Sequence, residues 1–474
     1  MQATTDKIFS RTFSADIITP ILAYTALRTT YPYAALLESL ADQDALGRFS
    51  HIGFDVIADI AITGNRVTSS LFADRLVDAD EILNTLREFY HAIRVPADDA
   101  RVAIVGGLVG YINYETVGYF EKIPLKDLPD DAPTIHLQSF RYGITFDHQT
   151  QEMIVSVRAD AHTTSDQINT TMAMILQQIK EFRALAEINI QLRDTSTRMP
   201  ETTPDLTDEE FKDHVQTAKK HIIDGDIFQV VLSRTFAVPF QADPLTVYRA
   251  LRFFNPSPYL FYLPYAQRCL LGASPEKCVS VHHGVVEVNP LAGTRPRGDR
   301  TQDSLLEVEL ANDSKECAEH LMLVDLARND LGRIAVTGTV KVKNLLQIKK
   351  ARHVMHLSSQ VQARVREGVD VFDALQATFP AGTLSGAPKI RAMEIIHALE
   401  ATPRQQYGGT IVLLDGNQQL ESCIAIRMAR IENQTAFVRT GAGIVHDSDP
   451  QKEADETKLK ARSILQAIHY AKGG

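Results

Sequence analysis

Short apolar runs separated by turns dominate the chain up to about residue 160, and they predict strands of a mostly antiparallel sheet. The clearest of these runs are 51–57, 101–111, 135–146 and 152–157. A helical pattern then covers 166–185, and the following Pro/Thr/Ser/Arg-rich segment 189–206 is typical of a connector. Thr207 and Glu210 form a capping-box pattern, so we expect a helix to begin there and to end near Gly225.

The second half of the chain repeats the strand pattern with helices set apart from it. Predicted strands cover 227–238, 258–263, 269–273, 279–288, 335–342, 353–365, 410–415 and 422–431. Predicted helices cover 244–254, 315–331, 369–379 and 388–398. This order favours an α+β fold, with two antiparallel β-sheets packed together and covered by helices, over a doubly wound parallel sheet. We divide the chain into an N-terminal part (1–190), a connector (191–206) and a C-terminal part (207–474).

Charged residues on the apolar side of a predicted helix single out the segment 441–460. Gly441 and Gly443 follow a strand-like run, where N–H groups left free at a strand end can form a small anion-binding nest. Glu453, Glu456 and Lys460 come next, at helical spacing. They fall in line with the apolar stripe Ala461, Ile464 and Ile468. Charged side chains on the inward face of a helix are costly to bury, so they indicate a functional site.

A second helix repeats this arrangement, with Glu316 and Glu319 on the edge of its buried face. Carboxylates that point into a core repel each other and cost desolvation energy unless a cation joins them. Carboxylate oxygens, completed by substrate oxygens and water, are the ligands that Mg²⁺ prefers. Either pair alone is more typical of solvated helix surface. Two pairs in register with apolar stripes instead favour a Mg²⁺ site.

Composition narrows the function classes. The 474 residues are 44% hydrophobic and 23% charged, and no apolar run reaches the ~18 residues of a membrane-spanning helix. The N-terminus is polar and lacks a signal-peptide core, so we expect a cytoplasmic protein. Four scattered cysteines argue against a zinc site and a disulfide framework. A net charge of −10 disfavours nucleic acid as a partner.

Several further residues are candidates for chemistry. The glycine-containing loop 380–389 feeds a helix and can bind an anion with Thr383 and Lys389, although alone it is more often a plain loop. Glu276 follows a buried strand, where a raised pKa would suit a general acid; the alternative is an ordinary turn glutamate. His356 lies on the polar face of a predicted strand, where a lone histidine is commonly just surface.

Four motifs together resemble the chorismate-utilising enzymes, most closely the anthranilate synthase component I branch. They are Glu-His-Leu-Met-Leu-Val-Asp-Leu-Ala-Arg-Asn-Asp (319–330), Ala-Gly-Thr-Arg-Pro-Arg-Gly (292–298), Ala-Gly-Thr-Leu-Ser-Gly-Ala-Pro-Lys (381–389), and Gly-Ala-Gly-x-Val followed by Glu-Ala-Asp-Glu-Thr (441–457). The resemblance implies Mg²⁺ between Glu319 and Glu456, with Glu316 and Glu453 as inner- or outer-shell neighbours. It implies that the chorismate carboxylates are held by Gly293, Thr294, Tyr407, Arg427, Gly441, Ala442, Gly443 and Lys460.

The same resemblance implies the first committed step of tryptophan biosynthesis, in which chorismate and ammonia give anthranilate and pyruvate. Glu276 is then the general acid for the leaving C4 hydroxyl, and His356 and Thr383 assist in proton handling or positioning. Ammonia would come from a separate glutamine amidotransferase subunit, since none of the cysteines lies in a glycine-flanked elbow.

Two positions distinguish the branches of the family. Gln229 stands where isochorismate- and salicylate-forming relatives have a lysine that activates water, and an amide cannot act as that base. Ala292 stands where aminodeoxychorismate synthases have a lysine that can attack the ring, so direct addition of ammonia is favoured. The alternatives are aminodeoxychorismate synthase component I and a non-catalytic amino-acid-sensing subunit of the same fold.

Three further segments, 36–39, 47–53 and 255–261, resemble the tryptophan-binding pocket of these enzymes. The N-terminal part would accordingly be regulatory, and L-tryptophan would be a feedback inhibitor. The predicted contact residues are Glu38, Ser39, Pro258, Tyr259 and Leu260. Leu260 replaces the usual methionine, which would soften the packing without abolishing the pocket. The alternative is a plain hydrophobic contact between the two parts of the chain.

Overall fold

Twelve α-helices and twenty-two strands are present in the computed structural model, which describes residues 5–40, 48–185, 199–351 and 354–472. The strands are β1 Asp6–Ser14, β2 Ala35–Glu38, β3 Phe49–Thr63, β4 Arg66–Ser69, β5 Arg75–Leu76, β6 Leu108–Ile112, β7 Ile135–Asp147, β8 Glu152–Asp160, β9 Thr203–Pro204, β10 Gln229–Pro239, β11 Tyr259–Pro264, β12 Arg268–Ser274, β13 Lys277–His282, β14 Val285–Val288, β15 Leu291–Pro296, β16 Lys341–Lys350, β17 Val354–Arg364, β18 Gly386–Ala387, β19 Thr410–Leu414, β20 Leu420–Ile424, β21 Met428–Glu432 and β22 Thr435–Ile444. The helices are α1 Pro20–Leu27, α2 Ile82–Ile93, α3 Ala103–Gly106, α4 Ser165–Leu185, α5 Asp208–Ile223, α6 Pro244–Phe254, α7 Arg300–Asn312, α8 Ser314–Gly332, α9 Val371–Thr378, α10 Gly382–Ser385, α11 Lys389–Leu399 and α12 Pro450–Ala471.

Two antiparallel sheets share the long strands β3 and β7. These strands pair from Phe49–Asp147 to Ile62–Ile135, with a bulge between Val56 and Ala58. In the first sheet the order is β1–β8–β7–β3–β2–β11–β12–β21–β22–β10. In the second it is β5–β4–β3–β7–β6–β19–β20–β13–β14–β17, with β15 and β16 also paired to β17. The two sheets are therefore continuous through one pair of strands.

Alternating side chains place apolar layers on both faces of each sheet. In β19, Ile411 packs between the two sheets, whereas Val412 packs toward the helices, as expected for a strand of period two. Helices α1, α4, α6 and α12 cover the first sheet, and α2, α8 and α9 cover the second. The predicted α+β fold is confirmed. None of the helices in the described ranges combines the length and apolarity needed to span a membrane.

The sheets cross the division of the chain predicted at the connector. β2 pairs with β11, and β6 pairs with β19, so each sheet contains strands from both parts. The predicted boundary at 190/191 lies outside the described residues. The capping box of Thr207 and Glu210 is present as predicted and starts α5, which ends at Ile223. β9, at the end of the connector, pairs with β10.

Candidate active site

Glu276 lies in the link between β12 and β13, and its carboxyl group is buried. Burial raises its pKa to about 8, because the charged form loses its hydration. The Thr383 hydroxyl on α10 donates a hydrogen bond to Glu276 Oε1 over 3.0 Å. Glu276 is therefore largely protonated at neutral pH, as a general acid must be. The structure brings these two predicted catalytic residues into direct contact.

His356 on β17 faces β15, where Thr294 and Gly293 are its partners. His356 Nδ1 lies 3.1 Å from both Thr294 Oγ1 and the Gly293 carbonyl oxygen. A carbonyl can only accept, so Nδ1 carries the proton and Nε2 keeps a lone pair. Burial lowers the pKa of His356, which favours the neutral ring. Gly293 has φ +61°, and a Cβ there would lie 3.1 Å from a Glu316 carboxylate oxygen.

The glycines near the C-terminus lie inside a strand, and the predicted nest at a strand end is wrong. β22 continues to Ile444, with Gly441 opposite Ser233 of β10. The Gly441 carbonyl accepts from Lys460 Nζ over 2.9 Å, so both backbone groups of Gly441 face away from β10. The N–H of Gly443, two residues on, faces the same way. Among the described residues, β21 pairs with β22 only as far as Phe437, so these N–H groups lie on an open strand edge.

Ala442 differs from its neighbours. By the same alternation its N–H faces β10, opposite Leu232, and its side chain is fully buried. The structure therefore does not bring this predicted substrate-binding amide to the open edge. Ala442 instead packs into the apolar cluster that α5 and α11 form with β10.

Polar side chains surround the open edge, and the two glycines make space for them. A Cβ on Gly441 would lie 2.6 Å from the Tyr407 hydroxyl, and one on Gly443 would lie 2.6 Å from Gln229 Nε2. Gln229 Oε1 is buried without a hydrogen-bond partner in the described part of the chain. Arg427 Nη1 donates to the Lys460 carbonyl over 3.4 Å, and burial lowers the Arg427 pKa. Polar groups thus converge on one strand edge, and among them Gln229 Oε1 has no hydrogen-bond partner in the described residues.

The four predicted metal ligands are only partly brought together. Burial raises the pKa of Glu319 and of Glu453, and the negative charge of Glu453 adds to the shift of Glu319. Glu316 accepts a hydrogen bond from Arg295 Nη1 over 3.0 Å, and Glu456 pairs with Lys460 over 2.6 Å. Within the described ranges, no group of three or more acidic, histidine or cysteine side chains is arranged to hold a metal ion.

The donor chemistry at this place still fits Mg²⁺. Two partly desolvated carboxylates repel each other, and a divalent cation relieves that repulsion. Mg²⁺ is usually held by one or two carboxylates, with water and substrate oxygens completing its shell. An open cavity of about 690 Å³ borders Glu319, but none of the other predicted metal-binding or substrate-binding residues in the described ranges lines it. Its apolar lining includes Phe228, Met322, Leu326, Pro388 and Val445.

The predicted tryptophan pocket centres on the pairing of β2 with β11. Glu38 lies opposite Leu260 and is buried, where it accepts from Tyr248 over 2.7 Å and pairs with Arg252 over 2.8 Å. Ser39 is also buried, and its hydroxyl has no hydrogen-bond partner among the described residues.

Two other predicted pocket residues lie differently. The Tyr259 phenol donates to Glu421 of the second sheet over 2.6 Å, so its ring points between the sheets, while Leu260 packs under the helices of the first sheet. Pro258 is half-buried. Gly47, which belongs to one of the predicted pocket segments, lies outside the described residues.

Sequence reasoning assigned another role to one residue beside the site and missed a second residue. Lys389 is bound to Asp330 over 2.8 Å and so anchors the 380–389 loop, although the sequence indicated an anion donor. Glu400 is buried and bridges Arg404 over 2.6 Å and Arg439 over 2.8 Å, directly behind the Tyr407 segment. Glu400 lies one residue beyond α11, so no helical periodicity identifies this pair.

Comparison with known proteins identifies the family to which the chain is similar. Residues 33–466 match the family model described as chorismate binding enzyme. The chain is 37% identical over 478 residues to anthranilate synthase component 1 of Bacillus subtilis, covering 97% of this chain and 92% of that protein.

Solved structures agree. Anthranilate synthase component I from Streptococcus pneumoniae superposes with a TM-score of 0.78 and 32% identity, covering 96% of this chain and 99% of that one. The menaquinone-specific isochorismate synthase MenF from Escherichia coli is 19% identical, with a TM-score of 0.71 over 98% of this chain and 95% of that chain, and shows the same fold. The predicted likeness to chorismate-utilising lyases of the anthranilate synthase component I branch is confirmed. The chain therefore belongs to the family of chorismate binding enzymes.

Proposed function

We propose that this chain converts chorismate and ammonia to anthranilate, pyruvate and water. The observation that carries the proposal is the buried Glu276 carboxyl, protonated at neutral pH and hydrogen-bonded to Thr383, in a chain similar to anthranilate synthase component 1. An elimination that expels hydroxide needs such an acid.

Different residues bind the substrate, position ammonia and transfer protons. The Gly441 and Gly443 N–H groups, with Tyr407, Arg427 and Lys460, hold carboxylates of the substrate. Ammonia attacks ring carbon C2 with its own lone pair, so Gln229 positions the nucleophile and need not deprotonate it. The C4 hydroxyl leaves as water with the proton of Glu276. His356 Nε2 accepts a proton as the enolpyruvyl group departs as pyruvate and the ring becomes aromatic.

Magnesium is part of the proposal. Glu319 and Glu456 would hold it, with Glu316 and Glu453 close by, and when bound it supplies electron withdrawal at the ring carboxylate. In the structure Lys460 forms an ion pair with Glu456, and Arg295 donates a hydrogen bond to Glu316. These contacts compete with the metal for the two carboxylates. Donor chemistry and the mutual repulsion of Glu319 and Glu453 support this assignment.

Regulation and partners complete the proposal. Tryptophan would bind beside Glu38 and Ser39 and inhibit the reaction. A glutamine amidotransferase subunit would supply ammonia, and the protein would act in the cytoplasm. The unpartnered Ser39 hydroxyl and the likeness to component 1 proteins support these assignments.

The test is an incubation of the purified chain with chorismate, Mg²⁺ and ammonium, followed by chromatography with fluorescence detection. Anthranilate is the expected product. A 4-amino product would instead identify an aminodeoxychorismate synthase. Tryptophan binding without consumption of chorismate would identify a non-catalytic sensor, and either result would overturn the proposal.

A further inference from the structure

The turn from Arg404 to Tyr407 is held by two residues of the N-terminal part. The Tyr407 N–H donates to the Arg404 carbonyl over 3.2 Å and closes the turn. The buried Glu115 carboxyl accepts from the N–H groups of Arg404, over 2.6 Å, and Gln405, over 3.2 Å. The N–H of Tyr114 donates to the Gln405 carbonyl over 2.9 Å. Tyr114 and Glu115 therefore bind both backbone groups of Gln405.

Gln405 depends on this support because its backbone is left-handed. Its φ is +52°, in a region where a residue other than glycine is strained. Such a conformation persists only where neighbouring groups fix it. The hydrogen bonds from Tyr114 and Glu115 supply this restraint. Without the Glu115 carboxyl, we expect the turn to relax away from this conformation.

The Arg404 side chain connects the same turn to the catalytic residues. Its guanidinium lies 4.7 Å from the ring centre of Tyr114 and 5.8 Å from that of Tyr407, close enough to interact with both rings. Its Nη1 donates to the Leu384 carbonyl over 2.6 Å. Leu384 directly follows Thr383 on α10, so the turn and the partner of the general acid share one support.

The Tyr407 phenol, at the other end of the turn, lies at the open edge of β22. A Cβ on Gly441 would lie 2.6 Å from its hydroxyl, and the ring is buried. A hydroxyl that donates to a carboxylate needs an oxygen–oxygen distance of about 2.5–3.0 Å. A shift of the turn by about 1 Å would therefore break such a bond.

The Glu115 contact depends on the reach of the side chain more than on its charge. Burial raises the Glu115 pKa to about 7, and the positive charge of Arg439 counteracts that rise. The carboxyl is therefore only partly ionised at neutral pH. Oε1 can accept its two N–H groups whether or not the other oxygen carries a proton.

We propose that Glu115 is a positioning residue for chorismate binding, which holds the turn from Arg404 to Tyr407 so that the Tyr407 hydroxyl reaches a substrate carboxylate. The inference rests on the proposed function, in which Tyr407 holds such a carboxylate. Glu115 acts through the backbone of the turn, so the N-terminal part completes the substrate site. Because Tyr407 holds the carboxylate in the ground state and the transition state alike, its displacement raises KM and leaves kcat unchanged.

Three variants at Glu115 separate reach from charge. Glu115→Asp keeps the charge but shortens the side chain by one methylene, and Glu115→Ala removes the acceptor. The KM for chorismate is expected to rise about fivefold or more in the first and about tenfold or more in the second, with kcat within about twofold. Glu115→Gln keeps an oxygen at the same reach, so its KM should stay within about twofold of the parent value.

Steady-state anthranilate formation at saturating ammonium and without tryptophan measures both constants. A parental KM in Glu115→Asp and Glu115→Ala would overturn the proposal, as would an equal defect in Glu115→Gln. A fall in kcat at constant KM would also contradict it. If Glu115→Ala does not fold, the comparison of Glu115→Asp with Glu115→Gln decides.

A double-mutant cycle tests whether Glu115 acts through Tyr407. Tyr407→Phe removes the hydroxyl and should raise KM by itself. Adding Glu115→Asp to Tyr407→Phe should raise KM much less than Glu115→Asp does alone, because the contact that it displaces is already lost. Independent, multiplicative effects of the two substitutions would overturn the proposal.

Asp147→Ala is the matched control for lost stability. Asp147 is another buried carboxylate of the N-terminal part, and it accepts from the backbone N–H groups of Gln149, over 3.1 Å, and Thr150, over 3.4 Å. These contacts lie in the hairpin between β7 and β8. The KM for chorismate should therefore remain at the parental value, and a rise like that of Glu115→Ala would show a general effect of destabilisation and overturn the proposal.

Failure of this inference is distinguishable from failure of the proposed function. If the parent chain forms anthranilate and the Glu115 variants keep its KM, only the role of Glu115 is wrong. If the parent chain forms no anthranilate, the proposed function is wrong, and calorimetric titration with chorismate and Mg²⁺ tests Glu115 separately. Weaker chorismate binding in Glu115→Asp than in Glu115→Gln would support the positioning role, and equal binding would overturn it.

Discussion

The Thr383 hydroxyl and the Glu276 carboxyl are joined by a hydrogen bond of 3.0 Å that links α10 to the turn between β12 and β13. Burial keeps the acid protonated, while the donated hydrogen bond stabilises its charged form and so limits the rise of its pKa to about 8. The Glu276 carboxyl is therefore protonated at neutral pH and can still release its proton.

Glu276→Gln should lower the rate of anthranilate formation by about 10²–10⁴, because the amide keeps the shape but cannot give up a proton. In the parent enzyme the acid form exists below its pKa, so activity should fall as the pH rises through about 8. The residual activity of the variant should lack this alkaline limb. Rate profiles between pH 6 and 10, recorded by anthranilate fluorescence, test both points; an unchanged limb in Glu276→Gln would exclude Glu276 as its source.

Thr383→Val should move the alkaline limb to higher pH. The lost hydrogen bond stabilised the carboxylate, so its removal raises the Glu276 pKa further. Thr217→Val is a suitable control, because Thr217 is a half-buried helical threonine whose hydroxyl, in the described part of the chain, bonds within its own helix at the Asp213 carbonyl. A limb that moves to lower pH would contradict the role of the Thr383 hydroxyl.

Glu319→Gln and Glu456→Gln should each nearly abolish turnover and leave tryptophan binding intact, because each removes a charged oxygen ligand from the proposed Mg²⁺ site. Turnover is measured across a Mg²⁺ titration, with a chelator as the zero point. Glu209→Gln is the control, because Glu209 is exposed and pairs only with Lys212 of the same helix. Retention of Mg²⁺-dependent activity in both variants would remove these glutamates from the metal site.

Ser39→Phe should relieve inhibition by tryptophan with near-normal turnover, because the larger ring fills the pocket beside Glu38. The inhibition constant should rise at least about tenfold, the equivalent of 1.4 kcal/mol of binding energy. The chain contains no tryptophan, so the fluorescence of the added amino acid reports its binding without background. Ser10→Phe on the exposed strand β1 is the control, and an inhibition curve that matches this control would exclude Ser39 from the pocket.

Glu400→Gln should destabilise the protein by about 3–5 kcal/mol, because Arg404 and Arg439 would stay buried without their shared carboxylate. Urea unfolding measures the change. Glu394→Gln removes an exposed carboxylate from an ion pair on α11 and should cost no more than about 1 kcal/mol. Equal losses in the two variants would show that the buried cluster carries no net stability.

The fold was largely predictable because its signals are local. The Thr207 and Glu210 side chains start helix α5 through contacts three residues apart, as the sequence predicts. Pairing between distant strands has no comparable signal. Nothing in the sequence of β2 indicates that Leu36 lies opposite Tyr262, more than two hundred residues away, which is what joins the two parts of the chain.

The site was predictable in its residues more than in its contacts. A raised pKa was expected for Glu276 from its position after a buried strand, and the structure supplies the burial. The hydrogen bond from Lys460 to the Gly441 carbonyl depends on how α12 lies against β22, which periodicity does not determine. The pairing of Lys460 with Glu456, in contrast, follows from their spacing of four residues on one helix. The hydrophobic pattern likewise does not indicate that β22 continues through Gly441 and Gly443 to Ile444.

Because β3 and β7 belong to both sheets, the molecule has no seam along which it can be opened cleanly. A fragment that ends before β9 would contain β2 and β6 without their partners β11 and β19. It would expose two unpaired strand edges, with which other chains could pair. The N-terminal part therefore cannot be removed without disrupting both sheets. A movement of one sheet must also twist β3 and β7, because these two strands belong to the other sheet as well.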